Sequence, residues 1–478
     1  MTGTGNPHTT RLAAILGEKG LISDPEGMVP YETGARSDKG RALFVARPAT
    51  TEEVSKVIAY CAANGIALIP QSGNTGLVNG SIPDHTGQQG ILSVDRLRGV
   101  FQVDRINRSV TVSAGFRLSE INERLAEHGL YFPIDLGADP GAGGMVATNT
   151  GGSRFLRFGD VRRNTLGLQV VFADSEGSIH RFGCGLRKDN TGADWKQMFI
   201  GTGGAFGVIT ECTFNVERLP QQSATAYLVP SSDTDVAILL EEIEARTGGY
   251  LTAFEAMSGN AIRAALHHAP SLRNPFPGGE IPDLVLLVEL SRTWPLRAGE
   301  QSLDDVLTAV LGEIWELSSQ PLSDAFLGKP EEMWALRHAL SEGVKASGNL
   351  VAFDLGFARG DVMRFRADMV NSLARRYPEV MVCDFGHVGD GGLHFNLVIP
   401  KGSPWFTPAN VEELRQFVFE TAVEKYAGSF SAEHGLGRRN QAYYDRYAAP
   451  VERHLSAVFK HATSPSPLGA AILAAPDA

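Results

Sequence analysis

Two short segments late in the chain contain four side chains that can bind a metal or accept a proton. His387 and His394 flank a short Gly-Asp-Gly-Gly turn, and Glu433 and His434 follow about forty residues later in a segment bounded by glycine. Two imidazoles and one carboxylate are the protein ligands of many catalytic zinc sites, which keep one position open. In such a site His434 would stay free to act as a base. The alternative is that these histidines are packed or solvated without a metal.

A glycine-rich loop follows a short apolar strand predicted at residues 66–69. It reads Pro70, Gln71, Ser72, Gly73, Asn74, Thr75, Gly76 and Leu77. Such a loop exposes several backbone N–H groups, which form a concave site for phosphate oxygens. Taken alone, the same motif also fits an ordinary turn.

Two further glycine-rich segments occur before residue 220. They span residues 137–152 and 201–210. Neither segment fits the Gly-x-Gly-x-x-Gly pattern, which disfavours a Rossmann dinucleotide fold. A single phosphate would not need three such loops. The sequence therefore predicts an extended cofactor that lies between two small subdomains.

The composition of the 478 residues limits the class of protein and its partners. Charged residues make up 20% of a chain that is long enough for two or three domains, as expected of a globular protein. The net charge of −11 argues against nucleic acid or an anionic membrane surface as a partner. No stretch resembles a membrane-spanning helix, so we expect a soluble protein of the cytoplasm or a matrix compartment and not an integral membrane protein.

Predicted helices and strands alternate irregularly, which indicates the α+β class. Thr50 and Glu53 form a capping box at the start of a helix that Gly65 ends. Short strands separated by turn residues are predicted at 91–94 and 110–112.

The glycine-rich segments resemble the flavin loops of the flavoproteins related to vanillyl-alcohol oxidase. Residues 70–77 are similar to the pyrophosphate loop, residues 143–159 to the second flavin loop and residues 188–210 to the third. The motifs at His387 and Glu433 narrow the resemblance to the FAD-dependent D-2-hydroxyacid dehydrogenases, the branch that includes D-lactate and D-2-hydroxyglutarate dehydrogenases. The resemblance covers most of the chain.

The resemblance implies a metal site, a base and a bound flavin. His387, His394 and Glu433 match metal ligands, usually of zinc, and His434 matches the general base beside them. Position 74 is asparagine where some relatives carry a histidine bonded to the flavin. We therefore expect FAD to be held without a covalent link. The implied FAD contacts are residues Pro70 to Leu77 as given above, together with Gly143, Gly144, Thr148, Asn149, Gly151, Gly152, Gly207, Val208 and Ile209.

The resemblance also implies how the substrate is held. Arg337 and Asn396 match residues that contact the substrate carboxylate or its surroundings, and Ser341 stands where relatives often have a hydroxyl. Relatives often place a lysine two residues before Asp354, where this chain has Ala352. The missing cation weakens the case for a dicarboxylate substrate. Without the resemblance, Arg337 would be expected on the surface of a helix.

The predicted fold is an α+β fold with a two-subdomain FAD-binding domain of the vanillyl-alcohol oxidase type and an α+β substrate or cap domain. The expected boundaries are residues 1–220 for the first domain, divided near residue 135, residues 221–420 for the second domain with its metal hairpin, and residues 421–478 for a segment that completes the active site. Small residues from Pro465 to Ala478 predict a poorly ordered tail.

These features predict oxidation of a D-2-hydroxy acid to the 2-oxo acid. The flavin would take the hydride from Cα, His434 would take the hydroxyl proton, and the metal would polarise the hydroxyl oxygen. Arg337 would grip the substrate carboxylate through two parallel hydrogen bonds. The expected electron acceptor is a carrier such as an electron-transferring flavoprotein, a quinone or a cytochrome.

Two other functions fit the same fold. The first is an FAD oxidase of an alcohol, a polyol or a 2-hydroxy acid that releases hydrogen peroxide. The second is a non-catalytic, flavin-carrying subunit of a larger complex, which would not need a complete set of metal ligands and base. The sequence leaves the oligomeric state open, with a homodimer as one option.

Overall fold

The computed structural model describes residues 7–474, which fold around three main β-sheets of four, five and eight strands. Helices cover the sheets, and most neighbouring strands are antiparallel. This mixture confirms the α+β class predicted from the sequence. Among the described residues, no helix combines the length and the apolar character needed to cross a membrane.

The first sheet positions the glycine-rich loop that begins at Pro70. Its strands are β1 (Leu21–Ile22), β2 (Ala42–Ala46), β3 (Leu68–Gln71) and β4 (Gln89–Ser93), in the order β1-β2-β4-β3, and its helices are α1 (Pro7–Leu16), α2 (Pro25–Glu32) and α3 (Thr51–Ala63). Oγ1 of Thr50 accepts the N–H of Glu53 at 3.2 Å, so the predicted cap of α3 is present. The Glu53 carboxylate accepts from Ala49 instead of from Thr50. Because β3 is parallel to β4, the loop leaves the carboxyl end of a parallel strand, where cofactors commonly bind.

The second sheet carries the other two glycine-rich segments. Its region contains β5 (Phe101–Asp104), β6 (Ser109–Ser113), β7 (Leu130–Tyr131), β8 (Thr165–Val171), β9 (Ile179–Phe182), β10 (Val208–Asn215) and β11 (Glu217–Arg218), with helices α4 (Leu118–Ala126), α5 (Ala142–Thr148), α6 (Phe155–Phe158) and α7 (Val161–Asn164). The sheet order is β5-β6-β10-β8-β9, and β7 pairs with β11 apart from it. Because β6 pairs with β10, the chain passes from the first sheet to the second between Ser93 and Phe101. The predicted division of the FAD-binding domain near residue 135 does not coincide with this passage.

The third sheet holds the histidine hairpin. Its strands are β12 (Gln222–Pro230), β13 (Leu251–Ser258), β14 (Leu284–Arg292), β15 (Leu322–Gly328), β16 (Asn349–Gly356), β17 (Met381–Val382), β18 (Phe385–Gly386) and β19 (Gly392–Ile399). The order is β15-β12-β14-β13-β18-β19-β16, and β17 pairs with β19. Helices α8 (Asp235–Thr247), α10 (Leu303–Trp315), α12 (Val362–Arg376) and α13 (Pro408–Glu420) pack on one face, and α9 (Gly259–His268) and α11 (Pro330–Ser347) pack on the other. Both faces are thus buried, and the hairpin lies in a sheet that helices cover on both sides.

The C-terminal segment returns to the first sheet after α14 (Gln441–Tyr447) and α15 (Pro450–Thr463). The N–H of Leu68 donates to the carbonyl of Pro467 at 3.2 Å, and the N–H of Gly469 donates to the carbonyl of Leu68 at 2.9 Å. Leu468 is buried between them. The prediction of a poorly ordered tail is therefore wrong for residues 465–474, because residues 467–469 pair with the edge of β3. Residues 475–478 lie outside the described chain.

Candidate active site

The histidine turn connects β18 to β19 and folds back tightly. Gly391 has a φ of +96°, and a Cβ added there would lie 2.2 Å from the carbonyl oxygen of Phe357. The N–H groups of Gly391 and Gly392 donate to the carbonyl of His387 at 3.1 and 3.0 Å. Glycine is therefore required at position 391. The turn brings His387 beside His394 on β19, with ring centroids 5.2 Å apart.

Asp354 ties the Glu-His pair to the hairpin. It lies on β16 directly opposite His394 on β19. Its Oδ2 accepts the backbone N–H groups of Glu433 at 2.9 Å and His434 at 2.8 Å. Burial alone would raise the pKa of Asp354, but His434, His394 and the two backbone donors lower it. An ionised carboxylate thus fixes the backbone of the segment that carries the predicted base.

Three donor side chains converge beside this carboxylate. Nε2 of His387 lies 3.1 Å from Oε1 of Glu433. One donor atom from each of His387, His394 and Glu433 lies within 4.8 Å of the other two. Burial would lower the pKa of His387, but Glu255 and then Glu433 raise it to about 10. Two nitrogens, one carboxylate oxygen and this local excess of negative charge fit a divalent cation such as zinc.

A second set of donors overlaps the first. Asp354, His394 and His434 also present one donor atom each within 4.8 Å of one another. The carboxylate of Asp354 is already engaged by two backbone N–H groups, and His434 is the residue predicted to stay free. The set of His387, His394 and Glu433 is therefore the better candidate for the metal.

Glu255, on β13, is a site residue that the sequence analysis missed. It is buried, with Oε1 2.7 Å from Nδ1 of His387 and Oε2 accepting Nε and Nη2 of Arg337 at 2.9 and 2.6 Å. Burial would raise the pKa of Glu255, but His387 and Arg337 lower it to about 2. A carboxylate on the remote nitrogen of a metal-binding histidine fixes the tautomer and ring orientation. A single charged residue in the otherwise uncharged, buried strand Leu251–Ser258 was the available signal.

Arg337 lies on α11 with only 6% of its surface exposed, so the alternative of a surface arginine is wrong. Glu255 occupies the Nε–Nη2 edge of the guanidinium, which leaves the Nη1–Nη2 edge for a substrate carboxylate. Ser341, one turn further along α11, borders the same cavity as Arg337. Helix α11 thus presents a cation and a hydroxyl to one space.

One cavity of about 410 Å³ joins the glycine-rich loops to this cluster. Its wall includes residues from 70–81, 135–153 and 203–209. The same wall includes the side chains that we assign to chemistry, namely Arg337, His387, His394, Glu433 and His434. A molecule bound by the glycine-rich loops could therefore also contact the candidate metal ligands within the same cavity.

Comparisons with known proteins identify the family. A family model described as FAD binding domain matches residues 42–183, and one described as FAD linked oxidases, C-terminal domain, matches residues 219–467. The D-2-hydroxyglutarate dehydrogenases of Danio rerio and Rattus norvegicus are 33% and 34% identical to the chain over 437 and 434 residues, which is 90% of this chain and 78% of each relative. The chain belongs to the FAD-linked oxidases, in the branch of the D-2-hydroxyacid dehydrogenases. It is a flavin-dependent enzyme.

More distant proteins share the fold of this flavoenzyme. A D-2-hydroxyglutarate–pyruvate transhydrogenase of Saccharomyces cerevisiae is 30% identical over 424 residues, covering 85% of this chain and 82% of that protein. Solved structures of an alkyldihydroxyacetonephosphate synthase and of p-cresol methylhydroxylase match with TM-scores of 0.71 and 0.70, at 15% and 16% identity. The matches cover 97% and 98% of this chain and 84% and 96% of those chains. They confirm the predicted fold of the vanillyl-alcohol oxidase type.

FAD is the cofactor of this family, and the cavity wall fits it. Gly203 and Gly204 line the cavity with φ values of +61° and +78°, and a Cβ at Gly76 would meet no atom within 4 Å. The backbone at Gly76 can therefore approach a bound molecule closely, whereas Gly203 and Gly204 have a backbone conformation that favours glycine. Asn74 also lines the cavity, with its amide donating to the carbonyl of Thr33 at 2.8 Å. Non-covalent binding at this position stays a prediction.

Most of the predicted FAD contacts line the cavity, but Asn149, Gly151 and Gly152 do not. Asn149 ends α5 with a φ of +52°, and its amide donates to Asp160 at 2.8 Å. A Cβ at Gly151 would lie 3.0 Å from Oε1 of Glu433, so this glycine makes room for the ligand set. Several wall residues at 135–141 were not among the predicted contacts, although residues 137–141 belong to the second glycine-rich segment.

Asn396 is buried on β19, opposite Ala352 on β16. Its amide donates to the carbonyl of His394 at 3.3 Å, and it is not among the residues that line the cavity. The structure thus places it beside the ligand set but behind the wall. Its contact with the substrate stays a prediction.

Proposed function

We propose that this enzyme oxidises a D-2-hydroxy acid to the corresponding 2-oxo acid, with FAD as hydride acceptor and a divalent cation held by His387, His394 and Glu433. The observation that carries the proposal is the single cavity that these ligands, His434 and the flavin loops share. Relatives named D-2-hydroxyglutarate dehydrogenase and putative D-lactate dehydrogenase support the substrate class.

His434 is the residue that we assign as general base. Its backbone N–H is held by Asp354 at 2.8 Å, and its Nδ1 lies 3.6 Å from Oδ2 of the same carboxylate. The other ring nitrogen, Nε2, is then the one that accepts the hydroxyl proton. The nearby carboxylate stabilises the imidazolium that forms, and a positioned base of this kind contributes roughly 10²–10⁴-fold to the rate.

Arg337 orients the substrate. The Nη1–Nη2 edge of its guanidinium can donate two parallel hydrogen bonds to the carboxylate of the substrate, while Glu255 holds the other edge. Because the side chain is buried and fixed at one edge, the substrate offers one face of Cα to the flavin. Selection of one enantiomer would require this contact together with the hydroxyl at the cation and Cα at the flavin.

When bound, FAD would supply the acceptor for the hydride of Cα, and a divalent cation held by His387, His394 and Glu433 would supply positive charge beside the hydroxyl oxygen. The chain contributes the orientation of the ligands through the contact of Glu255 with His387, at 2.7 Å. Gly151 leaves space for the carboxylate of Glu433.

We further propose that the electrons leave through a carrier and not mainly through oxygen. An electron-transferring flavoprotein, a quinone or a cytochrome fits this role. The yeast relative is named as a transhydrogenase that pairs a 2-hydroxy acid with pyruvate, so a 2-oxo acid is a further acceptor to test. Peroxide released per substrate oxidised distinguishes a carrier-dependent dehydrogenase from an oxidase.

The deciding experiment is anaerobic bleaching of the flavin by D- and L-2-hydroxy acids, with and without a chelator. We expect bleaching by D-acids only, and loss of bleaching after chelation that added zinc or another divalent cation restores. Bleaching that chelators leave unchanged would contradict the metal. Failure of every D-2-hydroxy acid to bleach the flavin would contradict the substrate class.

A further inference from the structure

A buried ion pair joins the FAD-binding domain to the third sheet beside the cavity. Arg154, just before α6, donates through Nε to Oε1 of Glu289 at 3.1 Å and through Nη2 to Oε2 at 3.3 Å. Its Nη1 donates to Oδ2 of Asp135 at 2.6 Å. Glu289, on β14, is only 3% exposed. One guanidinium therefore connects the region of the flavin loops to the other domain.

The same carboxylate also holds α11. Its Oε2 accepts Nε1 of Trp334 at 2.7 Å, and the guanidinium of Arg154 lies over the ring of Trp334 at 5.2 Å. His338, one turn further along α11, packs against Trp334 with ring centroids 5.4 Å apart, and its Nε2 lies 3.8 Å from Oδ2 of Asp135. Two successive turns of α11 are thus tied to one group of side chains, called here the Arg154 cluster, which comprises Asp135, Arg154, Glu289, Trp334 and His338.

The charges of the Arg154 cluster are desolvated and paired. Burial would lower the pKa of Arg154, but Glu289 and then Asp135 raise it. Burial would raise the pKa of Asp135, but His338 and then Arg154 lower it. The contact of Arg154 with Asp135 therefore stays ionic. A guanidinium that meets a carboxylate through two hydrogen bonds fixes angles as well as distance, whereas buried ion pairs often add little net stability over apolar packing.

The position of α11 matters because this helix carries the substrate anchor. Arg337 and His338 border the cavity, and so does Asp135. Glu255 fixes the guanidinium of Arg337, but it lies on β13 in the same domain as α11. Glu255 therefore cannot set the position of the anchor relative to the glycine-rich loops. The Arg154 cluster provides contacts that cross between the two domains and end on α11.

We propose that Arg154 is a positioning residue that aligns Arg337 with the flavin loops. It is not among the described residues that line the cavity, so it acts through Glu289 and α11. Reacting atoms must approach within about 3–3.5 Å, and a displacement of about 1 Å can cost roughly 10²-fold in rate. Loss of Arg154 therefore slows hydride transfer and leaves substrate binding at Arg337 nearly intact. This inference rests on the proposed function and adds a residue to its machinery.

The test is anaerobic bleaching of the flavin in Arg154→Gln by the D-2-hydroxy acid that bleaches the wild type fastest, starting with D-2-hydroxyglutarate and D-lactate. Rapid mixing over a range of concentrations separates the limiting rate from the dissociation constant. We expect the limiting rate to fall by about 10–100-fold. The dissociation constant should change by less than about threefold, because Arg337 and Glu255 remain paired.

Binding of the product gives a second readout that does not depend on turnover. The corresponding 2-oxo acid is titrated against the oxidised enzyme, and its dissociation constant is taken from the shift of the flavin spectrum. This constant should also stay close to that of the wild type, because the same anchor holds the product carboxylate. FAD content and thermal unfolding are measured on every variant.

Two further variants separate alignment from loss of folding. Arg154→Lys keeps the cation without the paired geometry, and it should recover part of the limiting rate. The double variant Arg154→Gln with Glu289→Gln leaves no unpaired carboxylate at position 289, so it should fold even where Arg154→Gln is unstable. It should show the same loss of limiting rate as Arg154→Gln.

Arg157→Gln is the matched control. Nη1 of Arg157 donates to the carbonyl of Ser291 at 2.7 Å, across the same junction between the domains. Within residues 7–474 it makes no hydrogen bond to Asp135 or to α11. The substitution should leave the limiting rate close to that of the wild type.

Several results would overturn the inference. A limiting rate in Arg154→Gln equal to that of the wild type excludes a role in alignment, and an equal loss in Arg157→Gln indicates general loosening of the junction. A rise in the dissociation constant that matches the loss of rate places the effect on binding. Loss of FAD from both Arg154→Lys and the double variant assigns Arg154 to folding alone. If no D-2-hydroxy acid bleaches the wild type, the proposed function fails and the inference fails with it.

Discussion

Oε1 of Glu255 lies 2.7 Å from Nδ1 of His387, on the side of the ring opposite the candidate metal position. The other oxygen of the same carboxylate holds Arg337, so one buried acid touches both a predicted metal ligand and the predicted substrate anchor. Orientation of the ligand and orientation of the substrate are therefore coupled through Glu255.

Glu255→Gln should weaken metal binding by about 10–100-fold, because a neutral amide holds the histidine tautomer less firmly. Zinc affinity measured by competition with a chelator checks this, and the flavin content should not change. Glu241→Gln, at an exposed position of α8, is the matched control. Unaltered zinc affinity in the Glu255 variant would show that this contact does not support the metal.

His387→Ala should lose the metal and the activity together while the protein stays yellow. The reason is that His387 supplies Nε2 beside the Glu433 carboxylate, at 3.1 Å, and lies away from the glycine-rich loops in sequence. Metal analysis, the flavin spectrum and turnover are measured on the same sample. His268→Ala, at an exposed histidine of α9, serves as the control. A variant that keeps a full equivalent of metal would remove His387 from the ligand set.

His434→Ala should lower the turnover rate by roughly 10²–10⁴-fold or more, which leaves almost no activity. The variant should retain both flavin and metal. This result would differ from that of His387→Ala, although both histidines border the same cavity. Partial recovery of the rate on addition of free imidazole would identify a missing base. Turnover close to that of the wild type would exclude the assigned role.

The sequence predicted the local features of the site well. The capped start of α3 and the tight histidine turn depend on neighbouring residues, and the structure contains both. Contacts between residues that meet only through pairing of strands distant in sequence could not be predicted. Glu255 is 132 positions from His387, and they meet only because β13 pairs with β18 in the third sheet.

The same limit applies to the expectation about the substrate. The absence of a lysine at Ala352 was visible in one strand, whereas the arginines that line a small pocket with Ala352, namely Arg36, Arg415 and Arg439, come from distant parts of the chain. Their proximity depends on how the N-terminal and C-terminal segments pack around the hairpin. The residue at position 352 therefore does not by itself determine the charge around that strand.

Gly391→Ala tests whether the turn geometry holds the ligand set together. Alanine at φ +96° costs about 1–2 kcal/mol, and the carbonyl of Phe357, 2.2 Å from the added Cβ, must also move. Strain and overpacking together should lower the unfolding free energy by about 3 kcal/mol. Zinc binding should also weaken, because His387 and His394 flank the turn. Gly402→Ala is the matched control, since Gly402 has a φ of +81° but no atom within 4 Å of the added Cβ. It should cost only about 1–2 kcal/mol and leave zinc affinity unchanged. Equal effects of the two substitutions on thermal unfolding and on zinc affinity would show that the turn does not position the histidines.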